Sequence, residues 1–464
     1  MIRTLMRPRP LVTIGMLAVG AVAALGVVAL SGTKTGLALA LAAVLGPIGL
    51  YFAICEPLVF PFALYVLLVP FDNLLSIPAF GTLTRALAIL SGGAIALWLL
   101  RTRRAISPGR PLVFWGFFVV WAATTLCWAI DPQVGYAHAF TLAQLLALYA
   151  IVSFVPVDRR TLGILLFAVV FSGVLAAGYG AYIFHNGAGH IVSGRLLLSN
   201  NNDVIDPNQF AASLILPIAV ALVAALRSRA ATVRIGALLA LAIMGGGLAI
   251  AGSRGGLVAV AIAVMYIVWR TRTAVLAAGF AFAALCSALA LDSTVLARFA
   301  TAASSGGAGR VDIWEVGLHA FRSFMWFGAG LGNFPVAFDR SFLAVHQNYY
   351  NPWNSAPHDI LLSAGVELGF FGLALLLGAW WFQFRELRSV EPHDELFGFA
   401  AAVESAVLGL FVAALFLDIM EMKYTWLAFM VAMLVRNACA ARGKVKICGE
   451  ATSPTAARNF RTTS

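Results

Sequence analysis

The chain predicts an all-α, polytopic integral membrane protein with about 12–14 transmembrane helices and a partly helical periplasmic cap. Three observations carry that reading. Hydrophobic residues make up 61% of the 464 and charged residues only 11%, and the mean hydropathy is +0.91; no soluble globule of this length can bury so much apolar surface. Apolar stretches long enough to cross a hydrocarbon core of about 30 Å recur along the chain, roughly fourteen of them. Basic residues fall on alternate connections between those stretches, as they do when short cytoplasmic loops retain them.

The first stretch, residues 11–30, follows Arg3, Arg7 and Arg9. That flank resembles a signal peptide, but the stretch is long and further spans continue it, so it is expected to be a retained helix. Stretches 57–71 and 421–435 are the weakest candidates, and twelve helices fit almost as well as fourteen. The later basic clusters are Arg101/Arg103/Arg104/Arg110, Arg159/Arg160, Arg227/Arg229/Arg234, Arg270/Arg272, Arg385/Arg388 and Arg436/Arg442/Lys444/Lys446. Their alternation puts both termini in the cytoplasm, with residues 1–440 as one transmembrane domain and 441–464 as a disordered basic tail. Topology and attraction to anionic lipid explain the net charge of +11, so the basic balance gives nucleic-acid binding no support. Cys55, Cys127, Cys286, Cys439 and Cys448 form no metal-ligand spacing and no disulfide framework, and read as structural filler.

Arg85, Arg195, Arg254, Arg298, Arg310, Arg322 and Arg340 break the rule by falling on the outward side. Each then needs a partner or a reason. The segment 182–209 ends in Asp206-Pro207-Asn208-Gln209, where the proline can open a helix and Asp206 can cap it. Gly252-Ser253-Arg254-Gly255-Gly256 is squeezed between apolar runs 235–251 and 257–269. An arginine at the centre of a membrane helix costs ~2.5–3.5 kcal/mol, less near the interface, unless an anion compensates. Phosphate suits its planar fork of donors, and the glycines would let backbone N–H groups approach the same ligand; snorkelling to lipid head groups is the structural alternative.

The large loop 292–357 is expected to form the cap. Within it Arg310, Ile313, Trp314, Gly317, Leu318 and Phe321 share one helical face, which predicts a helix lying along the membrane interface. Gly328-Ala329-Gly330-Leu331-Gly332-Asn333 looks like a nucleotide loop only superficially, because no strand precedes it and it faces outward. Trp314, Trp326 and Trp353 suit interface anchoring better than stacking on sugars.

His358 opens the next apolar run. In a continuous helix, His358, Gly365, Gly369 and Gly372 would lie within about 40° of one direction, setting a titratable group above a strip of side-chain-free surface. Such a strip admits a lipid chain or a neighbouring helix, and the glycines serve equally well for close helix packing with the histidine at a helix end. Asp359 would point about 100° away from His358, which argues against a direct catalytic pair and leaves it an electrostatic influence on the histidine's proton affinity. Glu367 would face the opposite side, in a buried hydrogen-bonding role.

These outward elements, in their order and placement around the large loop, resemble the O-antigen ligase and O-antigen polymerase superfamily of bacterial inner-membrane proteins. The resemblance spans residues 194–381 and rests on Gly194-Arg195, the Asp-Pro-Asn element, the Gly-Ser-Arg-Gly-Gly turn, Gly309-Arg310 followed by Trp314, the Gly-x-Gly-x-Gly loop, and His358 with Gly369 and Gly372. Asp359 departs from the Asn, Ser or Gln that ligases usually carry there, which leaves ligase against polymerase undecided.

The resemblance implies metal-independent, cofactor-free glycosyl transfer with inversion, at the periplasmic face. An undecaprenyl pyrophosphate-linked glycan would be the donor, and lipid A core or a growing polysaccharide the acceptor. By the same resemblance Arg254 and Arg310, with Arg195 third, would hold the pyrophosphate, and His358 would be the general base. The rival class is a secondary transporter or lipid-linked glycan flippase, which an intramembrane Glu367 could serve. Unequal loops and the absence of a repeat between the two halves argue against it. Scattered outward acids give no Asp-x-Asp pair for metal-assisted transfer.

Overall fold

A computed structural model describes residues 46–77, 81–186, 190–192, 195–200, 203–272, 310–345 and 356–440. Among these the all-α expectation holds. Nine helices are long and apolar enough to cross a membrane, or ten if Gly46–Cys55 (α1) and Leu58–Asp72 (α2), which meet at 112°, form one broken span. The spans are α3 (Leu83–Thr102), α4 (Arg110–Cys127), α5 (Pro132–Ser153), α6 (Arg159–His185), α7 (Pro207–Arg227), α8 (Ala231–Ala251), α9 (Arg254–Thr271), α12 (Ile360–Arg385) and α13 (Phe397–Ala414). Between α9 and α12 lie the shorter α10 (Arg310–Ser323) and α11 (Phe334–Val345), and the described chain closes on α14 (Lys423–Ala440). The expected span at 11–30 and the segment 273–309 lie outside the described residues.

Local chemistry sets where the helices begin. Thr82, Asp131, Asp158, Asp206, Ser253 and Asp359 each accept a backbone N–H of the first turn, satisfying donors that have no partner within the helix. Proline stands in the first turn of α4, α5 and α7, where its missing N–H costs nothing.

The alternation of spans sorts the connections into two ends. At the basic end Ile106 N–H donates to the Phe154 carbonyl, and Arg436 reaches both Glu386 (2.8 Å) and the Ser107 carbonyl (2.8 Å). At the opposite end Asp131 N–H donates to Asn333 Oδ1 (2.7 Å), His138 meets Glu421 (2.6 Å) and Ser363 donates to Asp418 (2.8 Å). Lys423 there binds Asp72, Thr82 and Thr84 at 2.6, 2.8 and 2.9 Å, tying α14 to α2 and α3.

One of the two stretches that look weakest as spans, 421–435, becomes α14, which is buried without interruption from Thr425 to Cys439. It is surrounded by protein instead of lipid, so it can carry Arg436 and Asn437, provided both are satisfied. Asn437 donates to the Ser153 and Val155 carbonyls (3.0 and 2.9 Å).

Small antiparallel ribbons interrupt the helical pattern, all at the site-bearing end. His190–Val192 (β1), Arg195–Asn200 (β2) and Asp203–Ile205 (β3) pair in that order, with Val192 opposite Arg195 and Leu198 opposite Ile205. A second ribbon pairs Ser76 with Thr82.

α12 is broken where sequence periodicity predicts continuity. Gly369 takes φ 68° and ψ −171°, and the cap supplies the hydrogen bonds that the break removes. Phe370 N–H donates to Met325 O (2.6 Å), Ala329 N–H to Val366 O (2.8 Å) and Gly330 N–H to Glu367 O (2.9 Å). Glu367, buried beside the break, accepts from Gly332 N–H (2.8 Å) and Phe334 N–H (3.1 Å), and so caps α11. Irregular backbone at membrane depth is tolerated only where protein satisfies it in this way.

The Gly-x-Gly-x-Gly loop is the other half of this joint. Gly328, Gly330 and Gly332 all have positive φ, and a Cβ at Gly328 would lie 2.1 Å from the Glu367 carbonyl oxygen. Gly328→Ala and Gly369→Ala are each expected to destabilise the folded protein by at least about 1–3 kcal/mol, from the strained backbone alone. Thermal unfolding in detergent checks this, with Gly245→Ala, which meets open space, leaving the midpoint unchanged or raised.

Candidate functional site

The site forms where the first turns of α7, α9, α10 and α12 meet. α8 ends on Gly252 at φ 57°, and Ser253 caps α9, so Arg254 becomes the first helical residue and lies half-buried. Ser253 Oγ donates to Asn208 Oδ1 (2.8 Å) and accepts Gly256 N–H (3.1 Å). Asp206 Oδ1 accepts Asn208 N–H (2.7 Å). The Asp-Pro-Asn element and the Gly-Ser-Arg-Gly-Gly turn are therefore one hydrogen-bonded unit.

The two glycines after Arg254 serve packing, contrary to the expectation that they open backbone to a ligand. A Cβ at Gly255 would lie 3.1 Å from the Phe416 side chain and one at Gly256 would lie 2.6 Å from Ala211, while the Gly256 N–H is already used by the cap.

Arg310 is the first residue of α10 and is also half-buried. Burial, and then the nearby Arg254 cation, push its guanidinium below the ordinary arginine value, against the opposing pull of Asp206. His358 is half-buried too; burial first and Arg310 second lower its proton affinity, and Asp206 opposes them. Arg254, Arg310, His358 and Asp206 thus share one electrostatic neighbourhood, drawn from four elements distant in sequence. Burial and Arg310 together outweigh Asp206 and keep the imidazole neutral near pH 7, beside two guanidiniums whose chemistry suits an anion.

His358 itself does not belong to α12. The helix starts at Ile360, Asp359 is its cap, and His358 sits just outside with φ 49°, in the left-handed region. A non-glycine residue there stores strain of about 1–3 kcal/mol, of a kind that gathers at functional sites. The wheel that set His358 over the glycine strip, and Glu367 opposite it, therefore does not apply. Asp359 Oδ1 accepts the N–H groups of Leu361 (2.8 Å) and Leu362 (3.1 Å), which fixes the helix start immediately after the histidine.

The glycine strip is closed by protein. A Cβ at Gly365 would lie 3.2 Å from the Phe321 ring, one at Gly369 would lie 2.4 Å from the Trp326 carbonyl oxygen, and one at Gly372 would lie 3.0 Å from Trp121 Nε1. That indole donates to the Leu368 carbonyl (2.9 Å) at the helix break. Of the two uses foreseen for the strip, close packing is the one these contacts among the described residues display.

The other arginines expected on the outward side divide. Arg195 lies on β2, and the ribbon's last strand ends at Ile205, next to Asp206. Its backbone is thus at the same end as the cluster. Arg85 stacks over Phe140 at 5.0 Å, Arg322 and Arg340 are exposed, and Arg298 lies outside the described residues. α10 buries Val316 and Ala320 and leaves Leu318 52% exposed, so its inward face is rotated from the one read off the sequence. Trp326 is exposed beside Phe370 and Phe371, as an interface anchor should be; Trp353 lies outside the described residues.

Sequence reasoning favoured a capping role for Asp206, which it does fill, and did not foresee its electrostatic reach to Arg310 and His358. It also passed over Tyr424 at the start of α14. The Tyr424 hydroxyl is buried without a hydrogen-bond partner among the described residues, within electrostatic range of Asp206. No local pattern gives either residue its place in this neighbourhood, since that depends on which helix starts converge.

Comparison with known families finds that residues 239–377 match the family described as O-antigen ligase. The match covers Arg254, Arg310, His358 and Gly365, Gly369 and Gly372 of α12. No curated protein is found to match the chain.

Proposed function

We propose, from the match of residues 239–377 to the O-antigen ligase family, that the chain is a member of that superfamily and transfers a glycan from undecaprenyl pyrophosphate to an acceptor hydroxyl at the periplasmic face of the inner membrane. The family's activity, of the ligase or polymerase type, is that of a membrane glycosyltransferase. The observation supporting the finer reading is the half-buried pair Arg254 and Arg310 beside an imidazole held neutral.

In the reaction, the anomeric carbon's bond to the pyrophosphate oxygen breaks and the electron pair leaves with that oxygen. Arg254 and Arg310, with Arg195 as a third candidate, balance the growing charge, each charge-assisted bond contributing ~1.5–3 kcal/mol. The acceptor oxygen attacks the opposite face, which inverts the centre, and a His358 ring nitrogen takes its proton. Asp206 then counterbalances the imidazolium, which later releases the proton to solvent. No step calls for a metal, so transfer is expected to persist in chelator.

A strain lacking the protein is expected to accumulate carrier-linked glycan at the outer leaflet, and His358→Ala or Arg254→Ala should not restore surface polysaccharide although both reach the membrane. Restoration by both variants refutes the assignment. Electrophoresis of extracted polysaccharide separates the subclasses: loss of long chains on lipid A core indicates a ligase, and a single-repeat product a polymerase. A flippase would instead strand its substrate on the inner leaflet.

A further inference from the structure

At the basic end, away from the site above, a cavity of about 470 Å³ is bordered by Arg227, Arg270, Arg272, Trp269 and Phe397. Arg227 and Arg270 stand 5.8 and 4.8 Å from the Phe397 ring centre. Arg270 shares the buried Glu404 with Arg388, at 3.4 and 3.6 Å. Of the three arginines bordering the cavity only Arg270 thus meets a carboxylate, and among the described residues Arg227 and Arg272 have no carboxylate partner. Topology alone accounts for arginines in a short loop; it does not require them to line a concavity.

A second cavity, of about 720 Å³, is walled almost entirely by apolar side chains of α6, α7, α8 and the start of α13. On α7, Val220 and Ala224 border this apolar cavity and Arg227 borders the basic one. Positions i, i+4 and i+7 share a helical face, so the apolar wall leads directly to a cation. On α8 the wall runs from Thr232 to Ile243, a rise of about 16 Å at 1.5 Å per residue, which is roughly the depth of one leaflet of a ~30 Å core.

We propose that these two cavities together bind one anionic phospholipid from the leaflet at the basic end. Arg227 and Arg272 fork its phosphate, and an acyl chain lies between α6 and α8. A free phosphate shares the headgroup chemistry but has no use for the apolar wall, whereas a lipid of either charge could use that wall but not the arginines.

The test is native mass spectrometry of the purified full-length protein with equimolar phosphatidylglycerol and phosphatidylcholine of identical chains. The wild type is expected to retain phosphatidylglycerol about 10-fold more than phosphatidylcholine. Arg227→Gln with Arg272→Gln should abolish that preference. Gly163→Leu with Gly236→Leu should weaken retention of both lipids, because these two wall glycines have open space beside them and no neighbour to displace. Phosphatidylglycerol should also raise the unfolding temperature of the wild type, and glycerol phosphate should not. Equal retention of the two lipids, an unchanged preference in the arginine variant, or stabilisation by glycerol phosphate equal to that by lipid would overturn the proposal.

Discussion

His358→Ala is expected to lower glycosyl transfer about 100- to 10,000-fold, the usual contribution of a general base, equivalent to about 2.7–5.4 kcal/mol at the barrier. The protein should stay folded, since the residue lies outside α12 and is only half-buried. Transfer from purified carrier-linked donor, with unfolding temperature as the control, measures both. The pH profile adds a readout that a merely structural histidine would not give. Burial and Arg310 hold the His358 proton affinity below the ordinary 6.5, so the active neutral form persists to lower pH and the acid limb of the rate should fall below that value. Arg310→Gln removes one of the two lowering influences and should move the limb upward. Asp206→Asn removes the opposing one and should move it downward. An acid limb that ignores both substitutions would remove His358 from the proton transfer.

Arg254→Ala is expected to cost about 100- to 1000-fold in rate, as loss of one fixed donor to a developing negative charge generally does. The effect should fall on kcat more than on KM, because the charge on the leaving oxygen is largest at the transition state. Arg254→Lys should recover only part of the loss, since a lysine supplies charge without the planar fork. Arg310→Ala should behave alike, and the double variant should cost less than the product of the two, because the guanidiniums lie close enough to influence one another. Full additivity would mean that the two arginines do not act on a common anion.

Much of the architecture is legible without coordinates. Composition and recurring apolar stretches specify a membrane-spanning helical protein, and the arginine alternation sorts the connections into the two ends that hydrogen bonds such as Ile106 to Phe154 confirm. These features are legible because they depend only on the solvent each stretch meets. Asp206, Ser253 and Asp359 cap helices as their residue types require, since capping is a contact between near neighbours in the chain.

Site geometry follows a different logic. Periodicity ran α12 unbroken through Gly369 and began it at His358. The tertiary structure breaks it with backbone bonds from residues 325–330, starts it two residues later, and fills the glycine strip with Phe321, Trp121 and the Trp326 turn. It also adds Asp206 to the Arg254, Arg310 and His358 neighbourhood. The sequence by itself determined the membrane fold and the identity of the charged residues at its site-bearing end. Only the tertiary structure decided which of them meet and which backbone bends to bring them together. Helical periodicity and capping are properties of adjacent residues, whereas a broken helix and a shared electrostatic field are stabilised by partners far away along the chain.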